Sequence, residues 1–243
     1  MRNQIVILAA GKGTRLGGQV PKVLVMLKNK PLILYLMHEL HYRQLIKPVV
    51  VVGFGAEKVK AVLGNDAVYA HQAEHKGTAH AVMCAKKQIH AENILVLYGD
   101  MPFIKADSLR ELMRVHHKKE SVLSMFTTRV PNFDGVYKSM EHYGRIIRSY
   151  NKKISKIIEF KDATPKEREI KELNPGIYMF NTEWLWENIK LIKNKNAQKE
   201  YYLTDIVEIA IKQGINIQSL EIPPKQVIGI NSREDLDLVE TLI

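Results

Sequence analysis

The sequence predicts an α/β fold: a Rossmann-like, mostly parallel β-sheet flanked by helices, with a β-rich lobe beside it. In the first half of the chain, short apolar runs alternate with amphipathic helical patterns. Alternation of this kind implies right-handed βαβ crossovers and a parallel sheet. Between residues 135 and 181 the pattern changes to short β-branched and aromatic runs separated by glycine and turn residues, which predicts the lobe.

The strands of the sheet are placed by apolar runs that lack a polar face, as expected for strands buried on both faces. They are predicted over residues 5–8, 49–52, 68–70, 94–97 and 122–127. Apolar residues at helical spacing between them predict helices over residues 32–43, 56–63, 78–88 and 107–118. Later elements are helices over residues 182–192 and 203–213, a strand over 217–222, and a helix over 232–241. Ser232 is the predicted N-cap of that last helix, with Asp235 three residues on.

The 243 residues, 46% of them hydrophobic, suffice for a sizeable core. Because no low-complexity linker interrupts the chain, we predict one domain over residues 1–243, with parts at about 1–130, 131–230 and 231–243. The single cysteine, Cys84, excludes a disulfide framework. We expect a cytoplasmic protein, since no signal peptide is seen and no apolar run approaches the roughly 20 residues of a membrane span.

The formal charge of +10 raises the question of nucleic-acid binding. The lysines are scattered over different predicted elements, and no basic helix is interleaved with aromatic residues. We therefore interpret the charge as a solvated surface, with a modest attraction for anionic substrates, and predict neither a nucleic-acid nor a membrane partner.

The most informative segment is the glycine-rich loop at residues 8–22, LAAGKGTRLGGQVPK, which directly follows the first predicted strand. Glycines such as Gly11 and Gly13 let backbone N–H groups approach a ligand without a Cβ clash. Consecutive N–H groups in such a loop form an anion-binding nest. The loop therefore predicts a phosphate site at the carboxyl end of a strand, where ligands bind in open α/β sheets.

Three cations accompany the loop: Lys12, Arg15 and Lys22. The spacing is not that of a Walker A loop, and Leu16 stands where the dinucleotide fingerprint requires its third glycine. The planar fork of Arg15 matches phosphate oxygens, so we predict that it holds the β- and γ-phosphates of a triphosphate. Pro21 stiffens the backbone before Lys22.

Further segments follow in a fixed order along the chain. They are QAE at 72–74, GTAHA at 77–81, YGDMP at 98–102, YGRI at 143–146, IEFKDA at 158–163, NPGI at 174–177, NAQ at 196–198, EYYLTD at 200–205 and GINSR at 229–233. Together with the glycine-rich loop, this series resembles the sugar-1-phosphate nucleotidyltransferases, and most closely the uridylyltransferase (pyrophosphorylase) domain of bacterial N-acetylglucosamine-1-phosphate uridyltransferases. The resemblance covers roughly residues 4–235.

The resemblance implies the nucleotide-diphospho-sugar transferase fold and an enzyme that makes UDP-N-acetylglucosamine and pyrophosphate from UTP and N-acetylglucosamine 1-phosphate. Glucose 1-phosphate, another sugar 1-phosphate or CTP as substrate stays open, as does a non-catalytic regulatory relative. The family proteins usually continue into a β-helix of hexapeptide repeats that carries an acetyltransferase, and no such repeat occurs here. The chain is either free-standing or a piece of a longer protein. We expect a monomer or dimer without acetyltransferase activity.

The same resemblance assigns the charged site residues. It places Lys22 at the α-phosphate, and Asp100 and Asn231 as ligands of the Mg²⁺ that neutralises the triphosphate. One carboxylate, one amide oxygen, substrate phosphates and waters suit the octahedral preference of magnesium. Catalysis is expected to consist of positioning and charge neutralisation, because the attacking phosphate is already ionised.

The remaining assignments concern the base and the sugar. Gln72 and Gly77 resemble the pair that reads uracil, and a side-chain amide can both donate to the base and accept from it. The nucleotide site is completed by Leu8, Ala9, Ala10, Gly11, Gly13, Thr14 and Thr78. The sugar phosphate is expected to contact Tyr98, Gly144, Glu159 and Asn174. In this group of segments Pro175 departs from the family, which often has Thr there.

Overall fold

The computed structural model describes residues 2–42 and 46–242. Within them, the strands are β1 Asn3–Ala9, β2 Met26–Leu27, β3 Lys30–Pro31, β4 Val49–Val52, β5 Val68–His71, β6 Asn93–Tyr98, β7 Leu123–Arg129, β8 Gly144–Arg148, β9 Ile154–Ile158, β10 Glu172–Asn174, β11 Tyr178–Asn181 and β12 Gln218–Glu221. The α-helices are α1 Leu32–Tyr42, α2 Ala56–Leu63, α3 Thr78–Cys84, α4 Ala106–Lys118, α5 Pro165–Arg168, α6 Thr182–Asn188, α7 Asp205–Lys212 and α8 Arg233–Glu240.

One sheet of ten strands runs through the described residues in the order β5-β4-β1-β6-β11-β7-β10-β8-β9, with β12 beside β7. Strands β5, β4, β1 and β6 are mutually parallel. Strand β11 is antiparallel to both β6 and β7, and joins the parallel part to the antiparallel strands β10, β8 and β9. The predicted α/β class with a mostly parallel sheet and a β-rich extension is confirmed, and the extension continues the same sheet.

The period-2 geometry of the strands divides the core between the two faces of the sheet. In β1, Ile5 and Ile7 pack into one apolar cluster and Val6 and Leu8 into the other. Apolar residues of α1, α2, α4 and α8 cover the first face, and those of α3, α6 and α7 cover the second. Both faces of the parallel strands are therefore buried, which explains why they read as uninterrupted apolar runs.

Most predicted elements are found within two residues of their predicted bounds. The helix predicted over 78–88 is shorter, because α3 ends at Cys84 and a 3₁₀ turn follows at Lys86–Gln88. Likewise α6 ends at Asn188 and passes into a 3₁₀ turn at Ile189–Leu191. Residue 43, the last of the first predicted helix, lies outside the described residues. Ser232 and Asp235 form the predicted capping box.

The β-rich lobe is organised around Arg145, whose side chain is completely buried. Its guanidinium donates to the carbonyl oxygens of Arg168 and Tyr143. It also lies over the rings of Phe133 and Phe160, with centroid distances of 4.9 and 5.3 Å. Charged groups are rarely buried without such partners, and through these contacts Arg145 ties the backbone at Tyr143 to that at Arg168.

A second buried polar group predicts how stability depends on pH. His116 is 1% exposed, with Nε2 3.1 Å from Asn93 Oδ1 and Nδ1 2.8 Å from Ser124 Oγ. Burial lowers the pKa of His116 to about 4. Below pH ~6.5 the His116 imidazole binds a proton in the unfolded chain but stays neutral in the folded chain. The free energy of unfolding should therefore fall by up to about 1.4 kcal/mol per pH unit as the pH drops from 6.5 toward 4.

Urea unfolding at pH 7, 6 and 5 checks this prediction. His116→Gln should be less stable at pH 7 and should lose less stability between pH 7 and 5 than the wild type does. The exposed His90 serves as the matched control, and His90→Gln should keep the wild-type slope. A His116→Gln slope equal to that of the wild type would contradict the assignment.

Candidate active site

The glycine-rich loop and Asp100 lie together at the carboxyl ends of β1 and β6, which are neighbours in the sheet. Gly13 adopts φ +64°, and a Cβ there would lie 3.1 Å from Lys22 Cβ. The Lys22 N–H donates to Gly11 O at 3.1 Å. The loop therefore packs directly on Lys22 and sets the position of that side chain.

The Lys22 ammonium group joins two distant parts of the chain. It donates to Asp100 Oδ2 and, at 2.6 Å, to Asn231 Oδ1, which is 209 residues away in sequence. The exposed fractions of the Lys22 and Asp100 side chains are 18% and 12%. The structure thus brings together three residues that the sequence predicted at one site.

Two backbone contacts place Asn231 beside Asp100. The Ile230 N–H donates to Asp100 O at 3.2 Å. The N–H groups of Asn231 and Ser232 each donate to Asp235 Oδ2 at 2.9 Å, as part of the α8 capping box. The helix cap that the sequence predicted therefore also orients Asn231, the candidate metal-ligating residue.

Tyr143 supports the same segment, and the sequence analysis gave it no role of its own. Its hydroxyl donates to Val227 O at 2.7 Å and accepts from the Gly229 N–H at 2.8 Å. Burial raises the pKa of Tyr143 well above its ordinary value, so the phenol keeps the proton that this bridge requires. No sequence signal identifies it, because the bridge depends on two backbone groups that only the fold brings near.

Two cavities meet at Lys22, Tyr98 and Asp100. The loop cavity, of about 260 Å³, is also lined by Leu8, Ala9, Ala10, Gly11, Val23, Gln72, His75, Gly77, Thr78, Ala81 and Glu200. The lobe cavity, of about 220 Å³, is also lined by Met101, His142, Tyr143, Gly144, Glu159, Asn174, Pro175, Gly176, Thr204, Gly229 and Asn231. Most of the predicted nucleotide-binding residues thus line the first cavity, and the predicted sugar residues line the second.

In the lobe cavity, Glu159 is the carboxylate closest to Gly144. A Cβ at Gly144 would lie 3.4 Å from Glu159 Oε1, so a side chain at residue 144 would crowd this carboxylate. Burial raises the pKa of Glu159, and the charges of Asp205 and Asp162 raise it further. Asp205, whose own pKa is raised to about 6 by burial and by Glu208, begins α7 behind the cavity.

Asn174 uses its amide within the protein. Its Nδ2 donates to the Tyr178 hydroxyl at 2.7 Å, and its Oδ1 accepts from the Gly176 N–H at 3.0 Å. One amide hydrogen and one lone pair remain for a ligand. The predicted sugar contact is therefore compatible with the geometry, and Asn174 also shapes the turn that carries Pro175.

The wall of the loop cavity is clamped by a distant segment. Gly77 has φ +103°, and a Cβ there would lie 2.5 Å from Tyr201 O. The Ala79 N–H donates to Tyr201 O at 3.0 Å, and the Tyr201 N–H to Lys76 O at 2.8 Å. Thr78 Oγ1 accepts from the Leu203 N–H at 2.9 Å. Glycine at residue 77 is thus required by close backbone packing.

Some predicted residues lie outside both cavities. Arg15 and Thr14 are exposed, and Arg15 lines a separate depression beside Ser232 and Glu234. Gly13, within the loop, packs against Lys22 and does not line either cavity. The structure does not bring Arg15 to the junction where Lys22, Asp100 and Asn231 meet, so its predicted phosphate contact stays a prediction.

The oxygen atoms at the junction fit a hard divalent cation. Asp100 Oδ1 is buried and has no hydrogen-bond partner within residues 2–42 and 46–242. Asn231 Oδ1 lies beside the same carboxylate, since both accept from Lys22. No cluster of three or more His, Cys, Asp or Glu side chains among the described residues is arranged to hold a metal ion. A metal here would therefore take its remaining ligands from phosphates and water.

Gly176 provides a test of how tightly this site is packed. It has φ +76°, and a Cβ there would overlap the Tyr98 ring between the two cavities. Gly214 has nearly the same φ, +73°, but a Cβ there would meet no atom within 4 Å. We expect Gly214→Ala to cost about 1 kcal/mol of stability, because alanine adopts a left-handed backbone less readily than glycine, and Gly176→Ala to cost about 2 kcal/mol more, because of overpacking. Urea unfolding of both variants measures the difference, and equal losses would contradict the predicted overlap.

The chain is similar in sequence to a family of known proteins. The model of the MobA-like NTP transferase domain matches residues 5–147. The chain is 39% identical over 244 residues to the bifunctional protein GlmU of Caldicellulosiruptor saccharolyticus, covering 98% of this chain and 51% of the relative. It is 40% identical over 232 residues to that of Carboxydothermus hydrogenoformans, covering 95% and 50%. The chain thus spans about half the length of these relatives.

The fold also occurs in a solved structure from Bacillus anthracis, described as a candidate glucose-1-phosphate thymidylyltransferase. The TM-score is 0.76 with 20% sequence identity, covering 99% of this chain and 95% of the other. This likeness supports the fold. The family model covers more than half of the chain, including every residue that lines the loop cavity except Glu200, and on that ground the chain belongs to the MobA-like NTP transferase domain family.

Proposed function

We propose that the protein transfers a uridylyl group from UTP to N-acetylglucosamine 1-phosphate, with release of pyrophosphate. The observation that carries the proposal is the junction of two cavities at Lys22, Tyr98 and Asp100. A nucleotide in the loop cavity and a sugar phosphate in the lobe cavity would meet at this junction. The similarity to the two GlmU proteins supports the choice of substrates.

In the proposed reaction, an oxygen of the sugar phosphate attacks the α-phosphorus of UTP. A new P–O bond forms while the bond to the β-phosphate bridging oxygen breaks, and pyrophosphate leaves with that electron pair. The Lys22 ammonium group lies at the junction and would stabilise the charge that shifts during the transfer. Asp100 and Asn231 would hold the divalent metal, with Mg²⁺ as the proposed ion, and its role is to neutralise triphosphate charge.

Glu159 and Gly144 would select the sugar. A carboxylate accepts hydrogen bonds from sugar hydroxyl groups, and the small Gly144 leaves room beside it. The raised pKa of Glu159 favours the neutral carboxyl, and ligand hydroxyl groups that donate to the carboxylate would oppose that shift.

The closing experiment measures pyrophosphate release over a matrix of UTP, CTP, dTTP and ATP against N-acetylglucosamine 1-phosphate and glucose 1-phosphate. The proposal predicts the highest kcat/KM for UTP with N-acetylglucosamine 1-phosphate. Equal kcat/KM values for the two sugars would overturn the sugar assignment and leave the uridylyl assignment intact. Binding of UTP without turnover under any combination would favour the regulatory alternative.

Two further expectations stay predictions: that the protein is a monomer or dimer, and that it is cytoplasmic. Among the described residues no helix combines the length and apolar character needed to cross a bilayer.

A further inference from the structure

We propose that His80 is a positioning residue that fixes the orientation of the Gln72 side-chain amide and thereby favours uracil over cytosine. The inference rests on the proposed function and deepens it. His80 lies on α3 behind the loop cavity and does not line that cavity. It would therefore act on the nucleotide only through Gln72.

The contacts of Gln72 determine which way its amide points. Nε2 lies 3.1 Å from Gly77 O and 3.1 Å from His80 Nδ1. A backbone carbonyl can only accept, so the amide nitrogen must face Gly77 O. Both amide hydrogens are then used, one on each partner. His80 Nδ1 must be the acceptor, which places the ring proton of the neutral imidazole on Nε2, 3.9 Å from Cys84 Sγ.

This arrangement leaves Oε1 as the group that Gln72 presents to a ligand. Gln72 lines the loop cavity although it is only 4% exposed, and its side-chain hydrogen bonds to the described residues are made by Nε2, not by Oε1. An acceptor can pair with the N3–H of uracil. Cytosine presents a lone pair at N3, so the same acceptor would oppose it. Selectivity between the two bases therefore depends on the amide keeping this orientation.

His80 is needed because Gly77 O takes only one of the two amide hydrogens of Gln72. That carbonyl also accepts the Ala81 N–H at 3.1 Å as part of the helix, so its two lone pairs are both in use. Without the imidazole, one amide hydrogen of a buried side chain would lose its partner, which is costly. Rotation of the amide would then place Nε2, a donor, in the cavity and suit cytosine.

The experiment compares two substitutions of His80 in the full chain. His80→Asn keeps an acceptor oxygen near the position of Nδ1, whereas His80→Leu has similar bulk and no acceptor. Cys84→Ala is the matched control, since Cys84 faces the other ring nitrogen. The readouts are dissociation constants for UTP and CTP by titration calorimetry, the kcat/KM ratio for the two nucleotides, and the thermal midpoint of each variant.

We expect His80→Leu to lower the UTP/CTP ratio at least tenfold, through weaker UTP binding with little change in kcat. His80→Asn and Cys84→Ala should stay within about threefold of the wild type. In a Gln72→Leu background, His80→Leu should add nothing, because the two residues act as a unit. The inference is overturned if His80→Leu keeps the wild-type ratio, if His80→Asn loses as much as His80→Leu, or if the effects of His80→Leu and Gln72→Leu are additive. A wild-type protein that binds neither nucleotide would instead overturn the proposed function itself.

Discussion

Asp100→Ala is expected to lower kcat about a thousandfold while the protein stays folded. Asp100 Oδ1 is a buried oxygen without a partner among the described residues, and Oδ2 accepts from Lys22. Removing the carboxylate would delete a proposed metal ligand and leave the Lys22 ammonium group with Asn231 alone. Loss of this charge neutralisation is worth several kcal/mol of barrier, and about 1.4 kcal/mol corresponds to a factor of ten in rate.

Steady-state kinetics over a range of Mg²⁺ concentrations measures this effect, with circular dichroism as the check on folding. Asp100→Asn tests charge separately from shape and should retain little more activity than Asp100→Ala. The exposed Asp66 is a suitable control carboxylate, and Asp66→Ala should leave kcat unchanged. Full turnover of Asp100→Ala, or of the wild type in excess chelator, would contradict the assignment.

Lys22→Ala is expected to lower kcat several hundredfold and to change the KM for the sugar phosphate by less than about fivefold. The ammonium group lies at the junction of the two cavities. There it would meet charge that moves toward the leaving pyrophosphate. An interaction that strengthens in the transition state affects kcat more than KM, and removing one such donor costs roughly 100- to 1000-fold.

Initial-rate measurements with each substrate varied in turn separate kcat from KM. Lys58 is exposed on α2, and Lys58→Ala serves as the control for loss of one surface charge. A Lys22→Ala variant that raised only the KM for the sugar phosphate would show that Lys22 binds substrate without taking part in the transfer.

The parallel half of the sheet was predictable because its strands are buried on both faces. Val49–Val52 is entirely apolar and was placed to the residue. The early end of α3 was not predictable, since no glycine or proline marks it. The helix ends just before Ala85, and both Ala85 and Ile89 are buried in the apolar cluster that includes Val6 and Leu8. We therefore attribute the end of the helix to packing and not to local sequence.

The residues of the candidate site likewise fall into two groups: those that local sequence predicts and those that only the fold brings together. The glycine-rich loop carries a local signal for a phosphate site, and the role of Lys22 within it was predicted from the resemblance. The meeting of Asp100 with Asn231 could be predicted only from the resemblance, because nothing local links residues so far apart. The contacts of Tyr143 and the proposed role of His80 depend on hydrogen bonds to groups that the fold brings near. Sequence reasoning therefore missed them.

The clamp between residues 76–79 and 201–203 has a consequence for biosynthesis. The wall of the loop cavity depends on backbone hydrogen bonds to Tyr201 and Leu203, the latter 125 residues from its partner Thr78. Residues up to 98, which include β1, β4 and β6, leave the ribosome before that segment does. The wall of the loop cavity is completed only once residues 200–203 have also been released. A ligand of the loop cavity could therefore stabilise the finished wall and could not act as a template for the earliest folding.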